Sequence, residues 1–301
     1  MIYIFFVYSW IIRKIAKNKK IKIIHLNDYK SGGFLPFLKI FTKSKIVWHI
    51  RDLFPLESKL KYFYYKIFGK FSDILIANSP LVERMLHNMG FKKVKMIYNI
   101  MNFKEIALSK IEARKKLNLP CEKIIIGYIG RISEEKELEK LLEAINLIKY
   151  KIKNVLCLIV GEDFKGGFLK EKLLKYAKER GIEDYVKFTG WKENIEDYYV
   201  ALDIFVHPRE NTYEPFGRNV VEAMLYEIPV CVSKKFSWLI KDKENGFIFE
   251  GGAEGIAKRI VEIFEKENRE IVSKNAKKFV EKEFKNEKIV NDFIKILFNE
   301  K

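Results

Sequence analysis

Residues 209–224 read Arg-Glu-Asn-Thr-Tyr-Glu-Pro-Phe-Gly-Arg-Asn-Val-Val-Glu-Ala-Met. Two carboxylates, Glu214 and Glu222, stand eight positions apart, the first in a polar loop and the second in a helical pattern. Pro215 suits the first position of a helix, where its missing N–H is no loss and its fixed φ helps the turn start. Gly217 leaves that helix start without a side chain. The N–H groups of Phe216, Gly217 and Arg218 then point outward, ready for a phosphate or a sugar hydroxyl. An acidic loop, an anion-receptive helix end and a second carboxylate describe a pocket for a sugar nucleotide. The competing reading is a capped surface helix with ordinary charges.

A second cluster lies upstream. Gly130-Arg131 follows an apolar strand, and Lys136 lies five residues beyond Arg131 at a predicted helix start. A guanidinium fork, an ammonium and a helix N-terminus would answer the negative charge that builds on a diphosphate leaving group. Among the histidines, His207 ends a strand beside the Glu214 loop and reads as a loop-bonding residue at the pocket rim. His49 and Arg51 share one face of a strand by alternation, so either can reach a crevice. The alternative for His49 is burial with a hydrogen bond to backbone.

The elements that must position these groups alternate along the chain, short apolar runs with amphipathic stretches, as parallel strands with helical crossovers do. Runs at 21–26, 45–50, 74–77 and 94–98 each end in polar or turn residues, with helices predicted at 56–71 and 80–89. A break falls at 103–121. A second alternation follows, with strands at 123–129, 155–160, 186–189, 203–207 and 230–233 and helices at 137–148, 168–180 and 195–201. Three helical patterns close the chain, at 253–265, 267–283 and 287–298. In an open parallel sheet the carboxyl ends of the strands line the ligand crevice, and the turn residues sit there.

The 301 residues carry a net charge of +17, unevenly distributed. Residues 1–110 hold 21 Lys/Arg against 6 Asp/Glu, while the rest is nearly balanced. A lysine-rich genome would spread the excess evenly; the asymmetry points to an anionic partner of the N-terminal third. Residues 1–12 are nearly all apolar and precede Arg13, Lys14 and Lys17. They are too few to span a bilayer and in the wrong order for a signal peptide. A buried helix or strand is expected there, with a membrane-surface anchor second. Cys121, Cys157 and Cys231 are too scattered for a disulfide framework or a zinc site. No helix-turn-helix, zinc finger or RNP motif accompanies the charge, which argues against nucleic acid.

Tyr128-Ile-Gly-Arg-Ile-Ser-Glu-Glu-Lys136, Leu158-Ile-Val-Gly-Glu162, Val186-Lys-Phe-Thr-Gly190, Asp203-Ile-Phe-Val-His-Pro208, Glu214-Pro-Phe-Gly-Arg-Asn-Val-Val-Glu222 and Pro229-Val230 occur in this order. The series resembles the donor-binding half of the retaining GT-B glycosyltransferases of the glycosyltransferase 4 type. It covers 120–300 well and the first 110 residues more faintly, through 21–28, 47–55 and 72–99. The resemblance implies two Rossmann-like, doubly wound domains. These would be an acceptor-side domain at 1–115, a sugar-nucleotide domain at 116–285, and a closing helix at 286–301 packing back on the first. It implies transfer of a sugar from a UDP- or GDP-sugar to an acceptor, with retention; the basic N-terminal third points to a glycan or lipid-phosphate acceptor and an anionic membrane surface, on the cytoplasmic side.

In that scheme Glu214 lies near the transferred sugar and Glu222 holds the ribose. Gly130, Arg131 and Lys136 take the diphosphate, and Gly190 and Trp191 lie near the base. Pro215, Phe216, Gly217 and Arg218 meet sugar hydroxyls and phosphate, and His49 or Arg51 serves on the acceptor side. The sequence has no DxD motif, so no metal or other cofactor is expected. It departs from the family in three places. The first strand and glycine-rich loop are missing, Arg51 stands where a histidine is usual, and Glu227 replaces a glycine, which with a shortened loop after Ser233 is expected to reshape the acceptor side of the donor pocket. The missing start leaves a second reading open, a catalytically incomplete sugar-nucleotide-binding subunit.

Overall fold

The computed structural model describes residues 2–54, 58–101, 104, 107–164 and 166–298. The chain divides into two compact units, residues 1–101 with 284–301, and residues 102–283. The expected boundary at 115/116 therefore moves to 101/102. The shift has a physical basis: helix Lys110–Lys116 is closed by a capping box at Ser109 and Glu112. Its Arg114 donates to the Ala201 carbonyl and pairs with Asp203 at 2.5 Å, all within the second unit.

The first unit runs α1 (Ile2–Asn18), β1 (Ile23–Leu26), α2 (Leu35–Phe41), β2 (Lys45–Ile50), α3 (Lys59–Phe68), β3 (Ile74–Ala77), α4 (Pro80–Asn88) and β4 (Val94–Met96). Its four strands lie parallel in the order β1-β2-β3-β4. The predicted helix at 56–71 is narrower, because its last turn tightens to 3-10 geometry at Gly69–Phe71; residues 55–57 lie outside the described residues. The core stacks Trp48 on Tyr65 and Tyr65 on Phe54, with centroids 5.2 and 4.8 Å apart.

The apolar run at the start is helical but not buried, contrary to expectation. Helix α1 packs on α2 through Phe5–Phe34 and Phe6–Phe41 edge contacts. It buries Ser9 and Ala16, while Tyr3, Ile4, Tyr8, Ile11 and Ile15 stand in solvent. Apolar residues all round a helix cannot all be covered by a single neighbour. Among the described residues, no helix is long and apolar enough to cross a membrane.

The second unit runs α5 (Lys110–Lys116), β5 (Ile124–Ile129), α6 (Leu138–Ile148), β6 (Val155–Val160), α7 (Phe168–Glu179), β7 (Val186–Phe188), α8 (Glu196–Ala201), β8 (Ile204–His207), α9 (Arg218–Leu225), β9 (Val230–Ser233), β10 (Phe247–Phe249), α10 (Gly252–Glu265) and α11 (Arg269–Glu283). Six parallel strands lie in the order β10-β9-β8-β5-β6-β7. Strands β5 and β6 are buried nearly end to end, as a sheet covered on both faces requires. The order reverses between β5 and β8, which pair at Ile126↔Ile204 and Gly127↔Phe205. Such a switch point splays the two following loops apart and opens a crevice at the strands' carboxyl ends. Those loops carry Arg131 and Glu214.

The chain then returns to the first unit as α12 (Asn286–Phe298). Asn286 clasps Met101 in both directions, accepting its N–H at 3.1 Å and donating to its carbonyl at 2.6 Å. Phe293 lies 5.3 Å from the His25 ring. Lys45 donates to the Leu297 carbonyl at 3.0 Å, where a cation meets the negative end of a helix.

Candidate active site

Four strand ends of the second unit supply the walls of one cleft of about 600 Å³. Gly130, Arg131, Lys136, Trp191, Glu214, Arg218 and Glu222 all line it. Gly190, Pro215, Phe216 and Gly217 are not on its wall, and the Phe216 side chain is buried near Trp238. His49 and Arg51 belong to the first unit.

The helix that was to start at Pro215 starts later. Gly217 is its N-cap with φ of 78°, a left-handed conformation that ends the loop, and α9 runs from Arg218. A Cβ at Gly217 would also lie 2.5 Å from the Phe236 ring. The N–H groups of Arg218 and Asn219, in the first turn, have no intrahelical carbonyl to meet. They replace the predicted Phe216–Arg218 set. Asn219 in turn fixes the helix to the sheet by donating to the Ile129 carbonyl at 2.8 Å.

Arg131 and Lys136, equal partners in sequence, are unlike in structure. The Arg131 side chain is 67% exposed, with its guanidinium 3.8 Å from Glu135. Tyr128 holds its backbone by donating to the Arg131 carbonyl at 3.0 Å. Lys136 ends a 3-10 turn (Glu134–Lys136) two residues before α6, and its side chain is only 10% exposed. Its ammonium donates to Glu214 Oε2 at 2.6 Å. The same oxygen accepts from Arg209 Nη1 at 2.7 Å. Burial alone would raise the Glu214 carboxyl, but Lys136 and Arg209 outweigh it and hold the group below the ordinary carboxylate value.

His207 is not at the rim. It is fully buried, edge-on to Phe236 at 4.9 Å, and neither ring nitrogen has a hydrogen-bond partner among the described residues. Burial, with Lys136 adding to it, brings its pKa down to about 3. Its 3.8 Å approach to Glu214 is thus not an ion pair at neutral pH. His49 behaves alike: it is buried, stacked on His25 at 5.5 Å, has no hydrogen bond among the described residues, and is held neutral with a pKa of about 3. Arg51 lies just past the end of β2 and is exposed.

Glu222 faces the cleft from the second turn of α9. Tyr199 donates to its Oε2 at 2.9 Å and Arg218 Nε to its Oε1 at 2.8 Å. The Trp191 backbone N–H donates to Glu162 Oε2 at 3.2 Å, and its indole is exposed. Gly161 is fixed by close approach, since a Cβ there would lie 1.9 Å from the Gly130 carbonyl oxygen. Glu227 takes the left-handed turn after α9 at φ of 60° and does not line the cleft.

Sequence reasoning missed Arg209 and Tyr199. Tyr199 lies on α8 with no local signal beyond an apolar pattern. The signal for Arg209 was its place directly after Pro208, where β8 delivers the chain to the crevice.

Comparison with known proteins bears on the family and the fold. The family model described as "Glycosyl transferases group 1" matches residues 109–279, and "Glycosyltransferase Family 4" matches residues 2–104. The lipopolysaccharide core biosynthesis glycosyltransferase LpsE of Rhizobium meliloti is 26% identical over 222 residues, 73% of this chain and 60% of LpsE. The capsular polysaccharide biosynthesis glycosyltransferase CapM of Staphylococcus aureus is 24% identical over 76% of this chain and 61% of its own length. The chain thus spans about 60% of the length of these relatives. Among solved structures, Anabaena HepE in complex with UDP and glucose superposes with a TM-score of 0.85 at 23% identity, covering 94% of this chain and 80% of HepE. Sucrose-phosphate synthase of Thermosynechococcus elongatus gives 0.84 at 23%, over 97% and 77%. Both units have the parallel α/β sheets of the GT-B fold, and the matched segment spans more than half of the sequence: the chain belongs to the group 1 glycosyl transferases.

Proposed function

We propose that the protein transfers a sugar from a nucleoside-diphosphate donor to a glycan or lipid-linked acceptor, with retention of configuration. The observation that carries this is the Lys136–Glu214 pair inside the cleft at the switch point, with Glu222 on the same wall. Arg131, Lys136 and the free N–H groups at the start of α9 take the diphosphate, where charge grows as the glycosidic bond breaks. Glu222 accepts the ribose hydroxyls, and Trp191 with Gly190 borders the base. Glu214 faces the sugar, where a carboxylate stabilises an oxocarbenium-like centre. The departing phosphate takes the acceptor proton on the face it leaves, which gives retention.

The positive charges do the work of a metal, so chelation leaves turnover unchanged. The UDP complexes of HepE favour a uridine donor over a guanosine one. The first unit serves the acceptor, with His49 or Arg51 at its strand ends. Exposed apolar residues of α1 with Arg13, Lys14 and Lys17 hold it to an anionic membrane surface, on the cytoplasmic face.

Thermal shift with a panel of UDP- and GDP-sugars tests the donor. One donor should raise the melting temperature of the wild type and shift Glu222→Ala far less. Equal shifts in both proteins sink the ribose role, and no shift with any donor sinks the proposal. Donor binding without transfer, even to crude membrane acceptors, would instead support a sugar-nucleotide-binding subunit. Tyr199→Phe removes one neutral–charged hydrogen bond to Glu222, so donor KM should rise about fivefold with kcat nearly unchanged. A fall in kcat with unaltered KM would contradict this.

A further inference from the structure

We infer that Arg209 is the positioning residue that takes sole hold of Glu214 once a bound diphosphate draws Lys136 away. This rests on the reading above, in which the diphosphate lies against Arg131 and Lys136.

Two cations share one oxygen. Glu214 Oε2 accepts from Lys136 at 2.6 Å and from Arg209 at 2.7 Å, while Oε1 has no hydrogen bond among the described residues. The cations are held very differently. Lys136 is on the cleft wall, on a flexible four-carbon stem, and can turn to a phosphate. Arg209 is not on that wall. Its Nε donates to Thr212 Oγ1 at 2.8 Å, and its carbonyl accepts from Ser233 Oγ at 2.6 Å.

The next two residues are pinned as well. Glu210 accepts the N–H groups of Gly251 and Gly252, both at 2.9 Å, at the start of α10. Asn211 donates its N–H to Glu137 at 2.9 Å. The guanidinium therefore stays in place whether or not the cleft is filled.

Empty, the trio carries one excess positive charge, which attracts a diphosphate. Filled, Lys136 neutralises phosphate and Glu214 keeps Arg209 as its counter-ion. The carboxylate stays ionised, with Oε1 directed at the sugar. The other titratable groups facing it are His207 from β8 and Tyr128 from β5, both held neutral by burial, so neither can replace the arginine.

The test compares Arg209→Met, Arg209→Lys and Lys136→Ala for UDP affinity and for UDP-sugar turnover against pH. Arg209→Met should bind UDP within about threefold of wild type yet lose about 30-fold or more in kcat. Its acid limb in the kcat profile should move up by about one unit, because that limb reports the enzyme–donor complex. Lys136→Ala should lose UDP affinity with the acid limb in place. Arg209→Lys keeps the charge and should keep the acid limb, with kcat down about tenfold for want of the fork to Thr212. An unmoved acid limb in Arg209→Met, or UDP affinity falling as in Lys136→Ala, overturns the inference. If Arg209→Met does not fold, wild-type kcat in Arg209→Lys overturns it. Wild type that binds neither UDP nor GDP overturns the proposed donor site instead.

Discussion

Lys136→Ala should lower turnover at least about a hundredfold, and Arg131→Ala only about tenfold, in a single-turnover assay with saturating donor. A hydrogen bond to a charged group contributes about 1.5–3 kcal/mol, and each 1.4 kcal/mol is tenfold in rate. In the proposed donor site both variants lose one such bond to the diphosphate. The solvent around Arg131, 67% exposed, screens that bond and takes its place in part. Lys136 is 10% exposed, and its removal also takes one of two cations from a carboxylate in a poorly hydrated wall. Breaking a buried pair commonly costs about 3–5 kcal/mol; with Arg209 still in place, about 2 kcal/mol is expected. That corresponds to a melting temperature lower by roughly 4–8 °C for a unit of this size. Arg131→Ala should leave the melting temperature where it is. Equal losses in the two variants would refute this division of labour.

The second large effect is that of Glu214→Gln. Turnover should fall about a hundredfold or more, since an amide cannot stabilise positive charge at the anomeric centre. The stability effect depends on pH, with a defined sign. Burial raises the Glu214 carboxyl, but Lys136 and Arg209 bring it below the ordinary value of 4.5. A depressed folded pKa gives stability that is present above 4.5 and lost as pH falls through the folded value. The wild type should therefore melt several degrees above Glu214→Gln at pH 7, and the gap should shrink as pH falls below 4.5 and through the folded value. Melting curves at pH 7, 5, 4 and 3 check it. A gap that persists unchanged at pH 3 would show that shape, not charge, holds the loop.

Much of this site was legible because strands and their turns leave local marks. The apolar runs before Gly130, Gly161 and Gly190 gave the strand ends, and the 209–224 stretch gave the loop and helix that carry both glutamates. What was not legible is what only the sheet order creates. Lys136 and Glu214 are 78 residues apart and meet because β8 lies beside β5. Tyr199 reaches Glu222 from a helix whose pattern says only that one face is apolar. His207 was misplaced because the end of a strand in sequence need not be a surface in space; its ring points into the Phe236 side of the sheet. Residues 1–12 misled in the opposite direction. Their composition argues for burial, but what a helix buries is set by what packs on it, and α2 covers one side only.

Gly161 lies so close to Gly130 that a single methyl group would have to displace a carbonyl oxygen. The loop that offers Arg131 and the loop that offers Glu162 are thereby one ridge, and in the proposed donor site the spacing between phosphate and base would be dictated by main chain. Changing the donor by substitution is then a matter of the outer rim. Trp191 and Arg218 stand exposed on that rim, so substitutions there alter its shape and, through the Arg218–Glu222 pair, its charge, while the calibre of the groove beneath them is inherited with the backbone.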